Sequence, residues 1–302
     1  MPMIKPSALK KGDTIGIISP CFSFAEDEKA IVEQSLLHRG YGVKYGKNLF
    51  SLSDSYCASA KERADDFNAM ISDDDVSMIL FDGGEVSNEL IPLIDYESIK
   101  KHPKIICSYS DSTSILNVIA CRSQTVTYYG QSWRGSMYSD YNLDWFNMAF
   151  CRPERPVYKT AKGLRCYCKG KASGRLIGGY LLNFSLLMGN PYFSYCQEEK
   201  HILFLEDNIA FNSPPAVSRY LSNIEQSDFF KTVSGVIIGH YSPNFNYDFD
   251  FVIKKFADKW NLPVVKCEDF GHGEYQAILP IGQTVELDAT AEKITFLESF
   301  TK

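Results

Sequence analysis

The chain has 302 residues, of which 45% are hydrophobic and 23% charged, and a formal net charge of −6. That length and composition suit a soluble globular protein of two domains or one large one, with a sizeable core. The acidic balance and the lack of a basic stripe argue against a nucleic-acid partner, which needs clustered Lys and Arg. No apolar window approaches the roughly 18 residues of a membrane-spanning helix, so no membrane partner is expected. The N-terminus lacks a signal-peptide apolar stretch. The nine cysteines are scattered; only Cys166 and Cys168 come close, at a spacing that fits neither a zinc knuckle nor a redox motif. Reduced, packed cysteines in a cytoplasmic protein without a metal follow.

In chain order, "GDTIGIISP" (Gly12 to Pro20) reads as a buried strand closed by Ser-Pro. "EDEKAIVEQSLLHRGY" has Ile31, Val32, Leu36 and Leu37 at helical spacing before Gly40, which predicts an amphipathic helix. "YGVKYG" is a second strand. "SAKERADDFNAMISD" is a helix with Ala64, Phe67, Met70 and Ile71 on one face. "VSMILFDGG" is a strand ending at Gly83-Gly84, and "SNELIPLIDYESIKKHP" carries two short helical pieces. "KIICSYSD" is a strand entering a turn, "STSILNVIACRSQ" a helix, and "TVTYYGQS" a further strand. This alternation predicts βαβ units and a parallel sheet covered on both faces. Ligands bind beyond the carboxyl ends of such strands, where the Gly83-Gly84 and Ser108-to-Asp111 turns both fall.

The second half reads differently. A linker is placed near "CRPERPVYK", dividing residues 1–155 from 156–302. Beyond it come short β-like pieces up to "GRLIGG", a helix in "YLLNFSLLMGNPYF", and the strand "HILFLEDN". "PPAVSRYLSNIEQSDFF" is a helix with Pro at its start. The strand "VSGVIIGHYS", a helix-strand pair in "FDFVIKKFADKWNLPVV" and hairpin-like strands complete the chain.

Chemistry has few candidates. Ser110 lies in a strand-to-helix turn, which can expose a side chain above a sheet while backbone N–H groups at the helix start hold an oxyanion. The same Ser, Asp and Thr cluster also serves as a helix cap, and the stretch alone leaves both readings open. His272, flanked by glycines in "FGHGEY", lies in a loop of close backbone approach, and His240 after "VSGVIIG" competes with it as a base. Glu206 and Asp207 exit the strand "HILFL", where a carboxylate can orient a histidine. Gly83-Gly84 allows positive φ or close approach to a ligand. Neither a phosphate loop nor a dinucleotide fingerprint is present.

Together these turns resemble the serine-type LD-carboxypeptidase family, closest to its microcin C immunity branch. "KIICSYSDSTSIL" is similar to the family's nucleophile motif, and "ILFDGGEVSNEL" to its Gly-Gly segment. "GRLIGGYLLNFSLL", "ILFLEDN", "VSGVIIGH" and "LPVVKCEDFGHGEYQAILPIG" fall in family order. The resemblance implies an N-terminal parallel, flavodoxin-like α/β domain joined to a mostly β C-terminal domain with helices. It implies Ser110 as nucleophile, His272 as base, Glu206 as the orienting carboxylate, and Gly84 and Asp111 N–H groups as the oxyanion hole. Gly83, Ser87, Asn88 and Tyr180 fall at substrate-binding positions. A homodimer acting on a small peptide or peptide conjugate, such as a muropeptide or a microcin C-type aminoacyl nucleotide, is expected, with no cofactor. Ser108 replaces a family glycine, and Tyr180 an asparagine. Those two departures raise the alternative of a catalytically impaired binding protein.

Overall fold

The computed structural model of the chain describes residues 2–22, 25–133, 139–208, 213–241 and 249–302. The first half alternates as its pattern requires: β1 (Thr14–Ile17), α1 (Glu28–Leu37), β2 (Gly42–Tyr45), α2 (Ala60–Ser72), β3 (Val76–Leu80), α3 (Tyr96–Lys101), β4 (Ile105–Ser108), α4 (Thr113–Ser123), β5 (Thr127–Tyr129) and α5 (Asp140–Phe150). α2 starts at a capping box, in which Ser59 and Glu62 each satisfy a backbone N–H of the other. Its apolar face buries Ala64, Phe67, Met70 and Ile71.

α1 departs from expectation. Val32 and Leu36 are fully buried, but Ile31 and Leu37 are 42% and 51% exposed. At 100° per residue, neighbours in sequence cannot both face a narrow contact. α5 was not foreseen, although its Trp145, Phe146, Ala149 and Phe150 repeat at helical spacing and are buried.

The second half comprises β6 (Arg165–Cys168), β7 (Lys171–Tyr180), α6 (Leu181–Leu186), β8 (His201–Asp207), α7 (Pro214–Glu225), β9 (Val233–Tyr241), α8 (Phe249–Trp260), β10 (Val264–Lys266), β11 (Leu279–Ile281), β12 (Thr284–Asp288) and β13 (Lys293–Phe296). Proline begins α7, as predicted.

Two sheets result. The first runs β11-β5-β4-β3-β1-β2. Strands β1 to β5 are mutually parallel in the flavodoxin-like order, and β11 adds an antiparallel edge. The chain therefore returns from the second half to complete the first sheet. The second sheet runs β13-β12-β7-β8-β9-β10-β6, with its four central strands parallel. In β8 all seven residues are buried, as in a parallel strand covered on both faces. The architecture is the expected α/β fold with a strand-rich second half. Among the described residues, no helix is long and apolar enough to cross a membrane.

Candidate active site

In a doubly wound sheet the crevice opens where the strand order reverses, here between β1 and β3. A cleft of about 470 Å³ lies there, lined by Ser19, Gly83, Ser110 and His272, with Phe22, Tyr109 and Trp133 as aromatic walls. That volume suits a small organic ligand. Glu28, Asp82 and Glu85 add carboxylates to its lining. A separate apolar cavity of about 340 Å³ sits beside the middle of β7 and the amino end of β8. Its charged groups are already engaged: His201 with Thr232, and Arg175 with Glu199.

Ser110 begins the turn between β4 and α4. Its φ is +59°, a left-handed conformation that costs a non-glycine residue on the order of 1–3 kcal/mol. The result is a sharp corner above the sheet. Ser110 Oγ lies 2.8 Å from His272 Nε2. On the other side of the ring, His272 Nδ1 is 2.7 Å from Glu206 Oε2, and the His272 backbone N–H donates to the same oxygen at 3.1 Å. Glu206 is fully buried at the end of β8. Strand alternation sends Glu206 and its neighbour Asp207 to opposite faces, so only one of the two meets the imidazole as a hydrogen-bond partner.

The histidine ring is held between aromatic rings, with Tyr109 and Tyr180 centroids at 5.4 and 5.1 Å. Burial disfavours the imidazolium. The Glu206 carboxylate, helped by Asp207 and Asp82, outweighs that and raises the His272 pKa above its ordinary value. His240, the competing base, is occupied elsewhere: its Nδ1 is 2.6 Å from Glu268 Oε2, beside Lys266. Its ring packs under Gly273, where a Cβ would stand 2.8 Å from Nδ1. It supports the loop that carries His272.

The glycine pair works by proximity. Neither residue has positive φ. A Cβ on Gly83 would stand 2.6 Å from Ser110 Cβ, and one on Gly84 2.4 Å from the Cys21 carbonyl oxygen. Both residues are glycine so that the β3 exit can pack against the serine turn and the β1 exit.

The remaining predicted residues divide. Asp111 is buried, and its carboxylate accepts from the Ser87 N–H at 2.8 Å and from the Asn183 amide. Burial pushes its pKa up, against those hydrogen bonds. Ser87 is fully buried, and its hydroxyl donates to the Asp111 carbonyl. It secures the turn from beneath and does not reach the cleft. Asn88 lies beside it, with Oδ1 buried, and is absent from the cleft lining among the described residues. Tyr180 reaches the site through its ring against His272. Ser108 is fully buried and turned away from Ser110; its Oγ donates to the Phe81 carbonyl at 2.8 Å and meets Ser112 Oγ at 2.7 Å.

Two site residues escaped the sequence reading. Asp82, at the β3 exit, accepts from the Gly83 N–H, and burial raises its pKa. Its position just before the glycine pair was the available signal. Tyr129 ends β5, and its hydroxyl accepts from the Ser110 N–H at 3.0 Å and donates to Glu206 Oε1.

Residues 15–130 match the LD-carboxypeptidase N-terminal domain and residues 173–287 its C-terminal domain. The chain belongs to the LD-carboxypeptidase family. It is an enzyme of the peptidase class. The putative carboxypeptidase YocD of Bacillus subtilis is 31% identical over 314 residues, covering 94% of this chain and 95% of YocD. Among solved structures, an MccF-like protein from Bacillus anthracis superposes with a TM-score of 0.89 at 26% identity, covering 98% of this peptidase and 99% of that chain. The microcin C7 self-immunity protein MccF, in complex with aspartyl sulfamoyl adenosine, superposes with a TM-score of 0.85 at 25% identity, covering 99% of this peptidase and 100% of that chain.

Proposed function

We propose that this peptidase hydrolyses an amide bond in a small peptide conjugate through a Ser110–His272–Glu206 triad. The observation that carries the proposal is the unbroken hydrogen-bonded line from Ser110 Oγ through both ring nitrogens of His272 to the buried Glu206. A serine hydroxyl is a weak nucleophile until a base takes its proton. In this reading Ser110 Oγ attacks the amide carbonyl as His272 Nε2 accepts the proton. Glu206 holds the ring in the tautomer that leaves Nε2 unprotonated, and stabilises the imidazolium that forms. Backbone N–H groups of Gly84 and Asp111 hold the developing oxyanion, each worth about 3 kcal/mol. His272 then protonates the leaving amine, and water releases the acyl group from Ser110 by the reverse proton path.

The substrate proposal follows the relatives. Aspartyl sulfamoyl adenosine is the ligand in the MccF structure, which makes aminoacyl nucleotides one candidate class; murein peptides with an L,D bond are the other. The carboxylates of Glu28, Asp82 and Glu85 favour a substrate that brings an ammonium group into the cleft. A cytoplasmic homodimer completes the proposal, and light scattering on the purified chain tests the dimer. The rival reading, a binding protein that keeps the cleft, drew on Ser108 and Tyr180. The Ser108 hydroxyl is hydrogen-bonded to the Phe81 carbonyl and Ser112 Oγ in the core, which weighs against that ground.

The test is a panel of murein tetrapeptide and aminoacyl sulfamoyl adenosines, read by mass spectrometry, with Ser110→Ala as control. Cleavage of either class by the wild type alone supports the reading. Full hydrolysis by Ser110→Ala overturns the triad. Binding without turnover by the wild type favours the rival.

A further inference from the structure

The peptide at Ser110 is held at both ends by side-chain hydroxyls, and each hydroxyl also grips the second half of the chain. The Ser110 N–H donates to Tyr129 Oη at 3.0 Å, and that hydroxyl donates its own proton to Glu206 Oε1. The Ser110 carbonyl accepts from Thr113 Oγ1 at 2.7 Å, and Thr113 Oγ1 in turn accepts from the Tyr180 N–H at 2.8 Å. One donor and two lone pairs on each hydroxyl are enough for both roles. Tyr129 and Thr113 are fully buried. Burial, with Glu206 alongside, raises the Tyr129 pKa well above its ordinary value, so the proton stays on Oη to be donated.

β7 comes close enough for this only because residue 179 is glycine. Its φ is +140°, and a Cβ there would stand 2.4 Å from Thr113 Oγ1 and 3.0 Å from Tyr129 Cε2. A left-handed serine persists where its surroundings over-determine it, and here two hydroxyls fix its flanking groups.

We infer that Tyr129 and Thr113 are positioning residues, a pair of hydroxyl clamps that fix Ser110 on the first half of the chain in register with Glu206 and His272 on the second. The inference rests on the reading of Ser110 as nucleophile.

A fluorophosphonate that phosphonylates an activated serine, displacing fluoride, tests both at once without a known substrate. Its rate of reaction at Ser110 is measured on the full chain against pH, with the labelled residue located by mass spectrometry. Loss of a hydrogen bond to a charged group predicts that Tyr129→Phe reacts about 10- to 100-fold more slowly. Its acid limb also moves to higher pH, because Glu206 without its donor acts on His272 with undiminished charge. Asp207 and Asp82, the other carboxylates that act on His272, are untouched. Thr113→Val slows the reaction, and Thr113→Ser, which keeps the hydroxyl, restores it to within about threefold.

If Tyr129→Phe and Thr113→Val both react at the wild-type rate with unmoved limbs, the inference is overturned while the nucleophile stands. If the wild type is not labelled at Ser110, the nucleophile reading falls and takes the inference with it. Should circular dichroism show Tyr129→Phe unfolded, the Thr113→Val and Thr113→Ser pair decides: equal rates for the two overturn the inference, and rescue by serine supports it.

Discussion

Ser110 Oγ and His272 Nε2 lie 2.8 Å apart although 162 residues separate them in the chain. One sits on the β4 exit of the first sheet, the other in the loop between β10 and β11. That loop is tied down on both sides. Cys267 N–H pairs with the Ile238 carbonyl and Ala277 N–H with the Asp269 carbonyl, after which the chain enters β11 and joins the first sheet. The contact therefore depends on the second half of the chain returning to the first. Replacing either partner by alanine should lower hydrolysis by about 10,000-fold or more, as for other groups that act as a unit. The double variant should be no slower than the worse single one. Thermal unfolding should stay cooperative in all three, which separates lost chemistry from lost fold.

Activity and stability should respond to pH in opposite directions. In the proposed triad His272 must be neutral to act as a base, and its pKa is raised above the ordinary 6.5. Acylation therefore rises with pH through a limb that lies above 6.5. The stability sign is the reverse. A group whose folded pKa exceeds its unfolded value stabilises fully below the unfolded pKa and loses that contribution as pH rises through the folded one. In Glu206→Gln the carboxylate is gone and burial dominates, so the acid limb should drop below the wild-type position even as the rate falls. The deficit in melting temperature relative to wild type should be larger at pH 5.5 than at pH 8.5. A deficit independent of pH would break the link between Glu206 and the histidine charge.

The Gly83-Gly84 turn should tolerate no side chain. A Cβ at Gly84 would stand 2.4 Å from the Cys21 carbonyl oxygen, and a backbone atom cannot rotate away as a flexible side chain can. Gly84→Ala should displace the β3 exit and with it the Gly84 N–H. In the proposed mechanism that N–H is an oxyanion donor, and losing one such donor costs about 100- to 1,000-fold in turnover. Steady-state kinetics should show the loss in kcat, with KM changing far less. Gly12→Ala is a control without steric conflict, since nothing lies within 4 Å of its Cβ position, and its effect should be confined to the strain of a positive φ.

Local pattern carried most of the architecture, because alternation of buried strands and one-faced helices is written in nearby residues. The Gly-Gly turn, the strand-exit positions of Ser110 and Glu206 and the glycine-flanked loop of His272 were legible for the same reason. What was not legible depended on packing between distant segments. Tyr129 reads as one more aromatic in "TVTYYGQS", and only the docking of β8 beside β5 makes its hydroxyl a bridge to Glu206. β11 looked like part of a C-terminal hairpin, and only its pairing with Tyr128 and Tyr129 places it in the first sheet. Ser87 sat in a motif that suggested the cleft, yet the 3₁₀ turn of residues 87–93 rotates it inward against Asp111. The glycines at 83 and 84 stand out in the sequence, and the structure accounts for them by close contact and not by positive φ.

Ser108 offers the sharpest separation of stability from activity. The sequence marks it as a departure at the nucleophile motif, where a glycine would leave more room. Its hydroxyl is spent inside the core, donating to the Phe81 carbonyl and meeting Ser112 Oγ, which in turn contacts Cys21 Sγ at 3.2 Å. Ser108→Ala strands part of a fully buried hydrogen-bond chain, and an unsatisfied buried polar group costs about 1–3 kcal/mol. The denaturation midpoint should therefore fall, with an unchanged slope against denaturant. Ser110 keeps all of its own partners, so fluorophosphonate reactivity of the folded protein should stay within about threefold of wild type, less than one ordinary hydrogen bond is worth. If Ser108→Ala or Ser108→Gly instead accelerated acylation tenfold with stability intact, residue 108 would be restraining the nucleophile, and the turn would be impaired by its own sequence.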